Sequence, residues 1–120
     1  MPRYIALGAL LAALAVMLGA FGAHGLKDTL HSSQMAVYQT AVQYHIYHAL
    51  GLVLVGVSGL KSAQALWSGR MMFLGVLLFS GSLYLMTFTG MRWLGMITPI
   101  GGTAFIIAWG LLAYAAWKRG

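Results

Sequence analysis

Gln39-Thr40-Ala41-Val42-Gln43-Tyr44-His45-Ile46-Tyr47-His48-Ala49-Leu50-Gly51-Leu52 is a polar island in an apolar chain. It carries two glutamines, two tyrosines and two histidines, and it runs directly into the apolar Leu50–Gly59. As one helix, its first half is polar and its second half suits hydrocarbon. Polar groups at membrane depth need protein partners, because lipid tails offer none. The other helices are therefore expected to pack around this one.

Composition sets the surroundings. The chain has 120 residues, 61% of them hydrophobic and only 7% charged. A soluble domain carries about 25% charged residues, and no soluble fold of this size covers itself with so few. The chain reads as a single all-α membrane domain over residues 1–120. Its net charge of +6 comes from seven basic residues against one acid, Asp28. The basic residues stand singly at the ends of apolar runs, so they read as topology signals facing lipid headgroups. Membrane lipids are the expected partners and nucleic acid is not. The absence of cysteine removes disulfides, thiol chemistry and thiolate metal sites.

Outward from the island, the pattern predicts an up-down bundle of four transmembrane helices, at about 4–23, 34–60, 71–89 and 98–117. The first begins like a signal peptide, but its apolar run of about 20 residues exceeds the usual 7–15 of a signal core. Ala15, Gly19 and Ala23 give it a small-residue face at spacing four. Residues 25–34 form a polar outer loop. Leu26 and Leu30 share a helical face there, which leaves open a short interfacial helix or a plain loop. Residues 61–70 are read as the second loop. On the third helix Ser80, Tyr84 and Thr87 make a hydroxyl stripe. Thr98 reads as an N-cap with Pro99 at the first helical position. A proline kink in a longer helix from near Trp93 is the alternative.

Four spans place Arg3, Lys61, Arg70, Lys118 and Arg119 on one side, and Lys27 and Arg92 on the other. This bias predicts that both termini are cytoplasmic. Tyr4, Trp67 and Trp117 then form an inner aromatic belt, with Tyr38 and Trp93 at the outer one.

On a wheel of about 100° per residue, Gln39 and Gln43 lie about 40° apart, and His45 and His48 lie about 60° apart on another side. Tyr44 and Tyr47 fall between the pairs. Three readings compete for the histidines. In the first they make interhelical hydrogen bonds, His48 to the Ser80–Tyr84–Thr87 stripe and His24 to the start of the second helix. In the second they hold a metal or haem, although His-x-x-His without a carboxylate is a weak ligand set. In the third they line a proton or solute path. No span contains an acid and no Ser–His–Asp relay is apparent, so catalysis is not expected. No cofactor is expected either. Pro99, Gly101 and Gly102 read as a close-packing site, as do Gly19 and Gly22.

Four blocks of the chain together resemble a known family. They are Gly19-Ala20-Phe21-Gly22-Ala23-His24-Gly25-Leu26, Tyr44-x-x-Tyr47-His48-Ala49-Leu50, Phe79-Ser80-Gly81-Ser82-Leu83-Tyr84, and Ile97-Thr98-Pro99-Ile100-Gly101-Gly102. In this order they resemble the small uncharacterised membrane proteins typified by bacterial YwdK and YgdD. The resemblance implies four membrane helices, with His24 and His48 as family features, and no established activity. Position 45 is commonly Gln in that family and is His here. The expectation is an uncharacterised, non-catalytic membrane protein whose His/Gln/Tyr/Ser cluster serves packing or partner binding. A small oligomeric transporter or channel is the alternative, and a homo-oligomer remains open.

Overall fold

Helix α2 (Ser32–Val57) opens where the backbone N–H of His31 donates to Gln34 Oε1 at 2.9 Å, half of a capping box. It closes at Val57, ahead of Gly59, which adopts φ +74°, a left-handed stop that glycine allows. The computed structural model describes residues 1–119. Three further helices long and apolar enough to cross a membrane accompany α2: α1 (Pro2–Leu26), α3 (Ala63–Thr89) and α4 (Thr98–Arg119), the last led by a 3-10 turn at Arg92–Met96. Neighbours in sequence are neighbours in space, α1 on α2, α2 on α3 and α3 on α4. The bundle is flattened, with extents of 49 × 27 × 18 Å. Of the four spans, α2 is the most buried and α1 the least.

Three boundaries differ from the sequence reading. Helix α3 starts at Ala63 rather than 71, so most of the expected 61–70 loop is helical. Ser62 caps it, its Oγ accepting from the Ala65 N–H at 3.3 Å, as a serine N-cap should. Lys61, Trp67 and Arg70 made this stretch look like a loop, yet Ser68 and Gly69 within it are buried. Helix α1 runs beyond Ala23 in a π turn, Gly22–Leu26. Helix α2 stops at Val57, short of Leu60. Residues 27–30 make a turn, with the Thr29 and Leu30 N–H groups donating to Leu26 O at 3.0 and 3.1 Å. The plain loop is thus the observed form of the polar segment, and no interfacial helix is present there. Thr98 does begin α4, with Pro99 in its first turn. Its hydroxyl does not cap the helix, however, but pairs with Ser82 Oγ of α3 at 2.6 Å.

Lipid removes much of the hydrophobic drive between helices, so close packing of small residues carries the association. On α1 the buried line is Gly8, Ala15 and Gly22, at spacing seven instead of the expected Ala15–Gly19–Ala23. Ala23 is exposed and Gly19 half-buried beside Val42. A seven-residue repeat follows one seam of a left-handed pair, which a four-residue repeat drifts away from. At Gly8 the α2 backbone lies so near that a Cβ would stand 2.7 Å from Ala49 O and 2.9 Å from Val53 N. Gly101 of α4 lies against the Phe79 backbone of α3 in the same way. Gly102 is half-buried at the Phe79 ring, and Pro99 is exposed rather than packed. Leu52, Met72 and Ala108 centre the apolar core, with Tyr4, Leu7 and Leu11 of α1 against it.

A second π turn, Val76–Ser80, interrupts α3. Both π turns border the same part of α2: Gly22 meets the Tyr38 ring, and Ser80 Oγ donates to Ala41 O at 2.8 Å. These irregular turns shift the helix phase where α2 is most polar.

Candidate functional site: the polar girdle of the second helix

Helix α2 divides its polar residues between two faces. Tyr38, His45 and His48 are buried, whereas Gln39, Gln43, Tyr44 and Tyr47 are exposed. Tyr38 therefore leaves the expected aromatic belt and enters the core. Its hydroxyl donates to Leu18 O of α1, and its ring packs edge-on to Phe88 at 6.0 Å.

His45 is 2% exposed. Its Nδ1 pairs with the Tyr84 hydroxyl at 2.8 Å. Its Nε2 is buried without a hydrogen bond.

His48 is fully occupied. Nδ1 lies 2.7 Å from Tyr44 O, one turn earlier, and Nε2 takes the Trp109 Nε1–H at 3.0 Å. A carbonyl can only accept and an indole N–H can only donate. The ring is therefore neutral, with its proton on Nδ1 and its lone pair on Nε2. It also lies flat on Phe105, centroids 3.4 Å apart and planes at 8°. Tyr44 and Phe79 extend this aromatic cluster, with centroids 4.7 Å apart.

The histidine partners thus differ from those expected. The stripe lies beside α2, but Tyr84 meets His45 and not His48. Ser80 bonds to the α2 backbone. The Thr87 hydroxyl returns to Leu83 O of its own helix at 2.8 Å, and its carbonyl accepts from Gln34 Nε2 at 3.3 Å. His24 is exposed in the π turn of α1, and among the described residues no hydrogen bond joins it to α2. No group of three or more His, Cys, Asp or Glu is placed to share a metal among those residues.

Trp109, Phe105 and the Ser68 and Ser82 hydroxyls were not singled out from sequence. Ser68 Oγ donates to Ala108 O at 2.6 Å. The one sequence cue was Trp109 itself, an indole well inside a span instead of at the interface, whose N–H needs an acceptor.

The exposed face is different. Gln43 Nε2 donates to the Tyr47 hydroxyl at 2.7 Å, one turn along. Tyr47 stands ten residues from the end of α2, or about 15 Å at 1.5 Å per residue. That is about half of a 30 Å hydrocarbon core.

Tyr84→Phe is expected to lower the thermal midpoint in detergent by an amount corresponding to about 1–2 kcal/mol, because it leaves His45 with no hydrogen bond. Adding His45→Leu should recover part of that loss, since replacing both partners is milder than orphaning one. Strictly additive losses from the two changes would show that the pair is not coupled.

Comparison with known proteins fits this picture. A family described as "Protein of unknown function (DUF423)" matches residues 18–102. The chain is 50% identical over 123 residues to the UPF0382 membrane protein YwdK of Bacillus subtilis, covering 98% of each chain. It is 49% identical over 119 residues to a UPF0382 membrane protein of Staphylococcus haemolyticus and to one of Staphylococcus epidermidis, again covering 98% of both chains. No solved structure matches the chain. Full-length likeness at this level, with four membrane-competent helices behind it, makes this chain a member of the DUF423 family of membrane proteins, whose function is unknown.

Proposed function

We propose that the chain is a non-catalytic inner-membrane protein, both termini cytoplasmic, that assembles with a second copy of itself through the Gln39–Gln43–Tyr47 face of α2. The observation behind this reading is the division of the polar girdle. Its inner half is consumed by packing: His48 has both nitrogens engaged, and Ser80 and Tyr84 are bonded to α2. Its outer half lies at membrane depth with amide groups facing outward. Gln43 Nε2 is bonded to Tyr47, but the remaining donor and acceptor capacity of these amides has no protein partner among the described residues, which is costly in hydrocarbon. A primary amide is both donor and acceptor, so the same face on a two-fold mate is self-complementary. The basic bias of the end that carries Arg3, Lys61, Arg70 and Lys118 supports the cytoplasmic termini. The non-catalytic reading is supported by the doubly engaged His48 and by the place of the one acidic side chain, Asp28, in the turn after α1.

None of four clefts on the protein surface is lined by His45, His48, Tyr84 or Trp109. Rings fill the level of the histidines, which favours packing there over a solute path; the cleft that borders Gln39 and Gln43 is a groove between α1 and α2.

The natural absence of cysteine makes the test direct. Gln39→Cys and Gln43→Cys are expected to give disulfide-linked dimers on oxidation in native membranes. Leu85→Cys, exposed on α3, should not. A Gln39→Leu/Gln43→Leu variant should run as a monomer in native mass spectrometry. Equal cross-linking at Leu85, or none at either glutamine, would remove the dimer.

A further inference from the structure

The cleft between α1 and α3 at the N-terminal end of α1, which is the cytoplasmic end on the reading proposed above, has a volume of about 500 Å³. Its rim carries Arg3 and Arg70, and its wall is built from Tyr4, Leu7, Leu66 and Phe73. Several contacts hold that shape. The Tyr4 hydroxyl donates to Leu66 O at 2.6 Å, and Gly69 leaves the space that the Tyr4 ring fills. The Arg70 guanidinium stands 4.8 Å from the centre of the Trp67 ring, a cation–π contact that fixes it beside an aromatic of the membrane interface.

The charge here is unbalanced. The chain has one carboxylate side chain, Asp28, and it follows the opposite end of α1. That helix has 25 residues, so Asp28 lies about 37 Å away along the axis at 1.5 Å per residue. Among the described residues no carboxylate stands near Arg3 or Arg70. The N-terminal end of α1 adds backbone partial positive charge at the same place. The described side chains offer this rim no anion, so it is open to one from outside the chain.

We propose that this cleft binds the phosphate of an anionic phospholipid, with Arg3 and Arg70 on the headgroup and an acyl chain along Leu7, Leu66 and Phe73. The apolar wall is what selects a lipid over a soluble phosphate. It continues from the basic rim into the span, so a headgroup and a chain are accommodated together. Basic pockets between helices on the cytoplasmic side have this chemistry, and arginine suits phosphate through its planar fork of donors.

The test is native mass spectrometry of the full chain in neutral detergent, titrated with phosphatidylglycerol or with phosphatidylcholine. One phosphatidylglycerol per chain should be retained, and phosphatidylcholine should not. In the Arg3→Gln/Arg70→Gln variant, retention should fall about 25-fold, about fivefold for each basic side chain removed from a membrane surface. Lys118→Gln/Arg119→Gln, at a second basic cleft of the same end, removes equal charge and should change it little. Both arginines are exposed, so thermal midpoints should match wild type, and Arg3→Lys/Arg70→Lys should retain much of the binding. Equal loss in the two Gln variants would reduce the effect to general surface charge and overturn the site. Equal retention of phosphatidylcholine would overturn it as well. Complete displacement of phosphatidylglycerol by excess glycerol 3-phosphate would reassign the cleft to a soluble phosphate.

Discussion

Gly101→Ala is expected to lower the thermal midpoint in detergent by about 5 °C or more, which corresponds to about 1–3 kcal/mol for forcing a group into a filled contact. Gly110→Ala, on the same helix, should leave the midpoint unchanged or raise it. Both replacements gain about 1 kcal/mol or less of intrinsic helix preference, so only the surroundings differ. A Cβ on Gly110 meets nothing within 4 Å. A Cβ on Gly101 runs into the backbone N of Phe79 and stands 2.8 Å from its Cα. Backbone cannot rotate away as a side chain can. Phe79 sits inside the π turn of α3, next to the Ser80 hydroxyl bond to Ala41, and its ring touches Tyr44 and Phe105. Retreat of α3 would therefore open the α3–α4 contact and disturb the aromatic cluster around His48 together. Equal midpoints for the two alanine variants would show that the α3–α4 approach is looser than the structure has it.

The central place of α2 was legible in the sequence because its cause is simple. Two histidines, two glutamines and two tyrosines inside a hydrophobic run cannot all face lipid, so helices must surround them. The orientation of the Ser80–Tyr84–Thr87 stripe was legible for the same reason. Pairings were not. His45 and His48 lie only about 60° apart on the helix wheel, and which one meets Tyr84 depends on crossing geometry that no single sequence displays. The π turns at Gly22–Leu26 and Val76–Ser80 compound this. Each shifts the phase of the following residues, and neither has a compositional mark. The start of α3 was hidden for another reason. Ser68 and Arg70 look like loop residues, yet Ser68 spends its polarity on the Ala108 carbonyl and Arg70 reaches outward over Trp67. Gly8 and Gly22 show the same limit in apolar terms. Many small residues lie along α1, and only the seam that meets α2 decides which of them matter.

His48→Ala should produce the other large effect, a loss of about 3 kcal/mol or more in stability. Two terms add. Truncation removes a ring that lies flat on Phe105, and emptying an aromatic-sized site costs about 3–5 kcal/mol in well-packed cores. It also strips the Trp109 N–H of its acceptor; the ring is exposed on the bundle surface, but at membrane depth it finds no water to replace that acceptor. Partial collapse and membrane alternatives for the indole bring the sum down, since hydrogen bonds within bundles average about 0.6 kcal/mol. His48→Phe separates the terms, because it refills the space and still leaves the indole unpartnered. Its midpoint should fall between those of wild type and His48→Ala, and Trp109→Phe added to it should cost little more at the hydrogen-bond level. The order wild type, His48→Phe, His48→Ala, read from thermal unfolding in detergent, is what a packing role demands. If His48 served chemistry or conduction without holding α2 to α4, both variants would unfold at the wild-type temperature, and the neutral, doubly bonded imidazole would need another explanation.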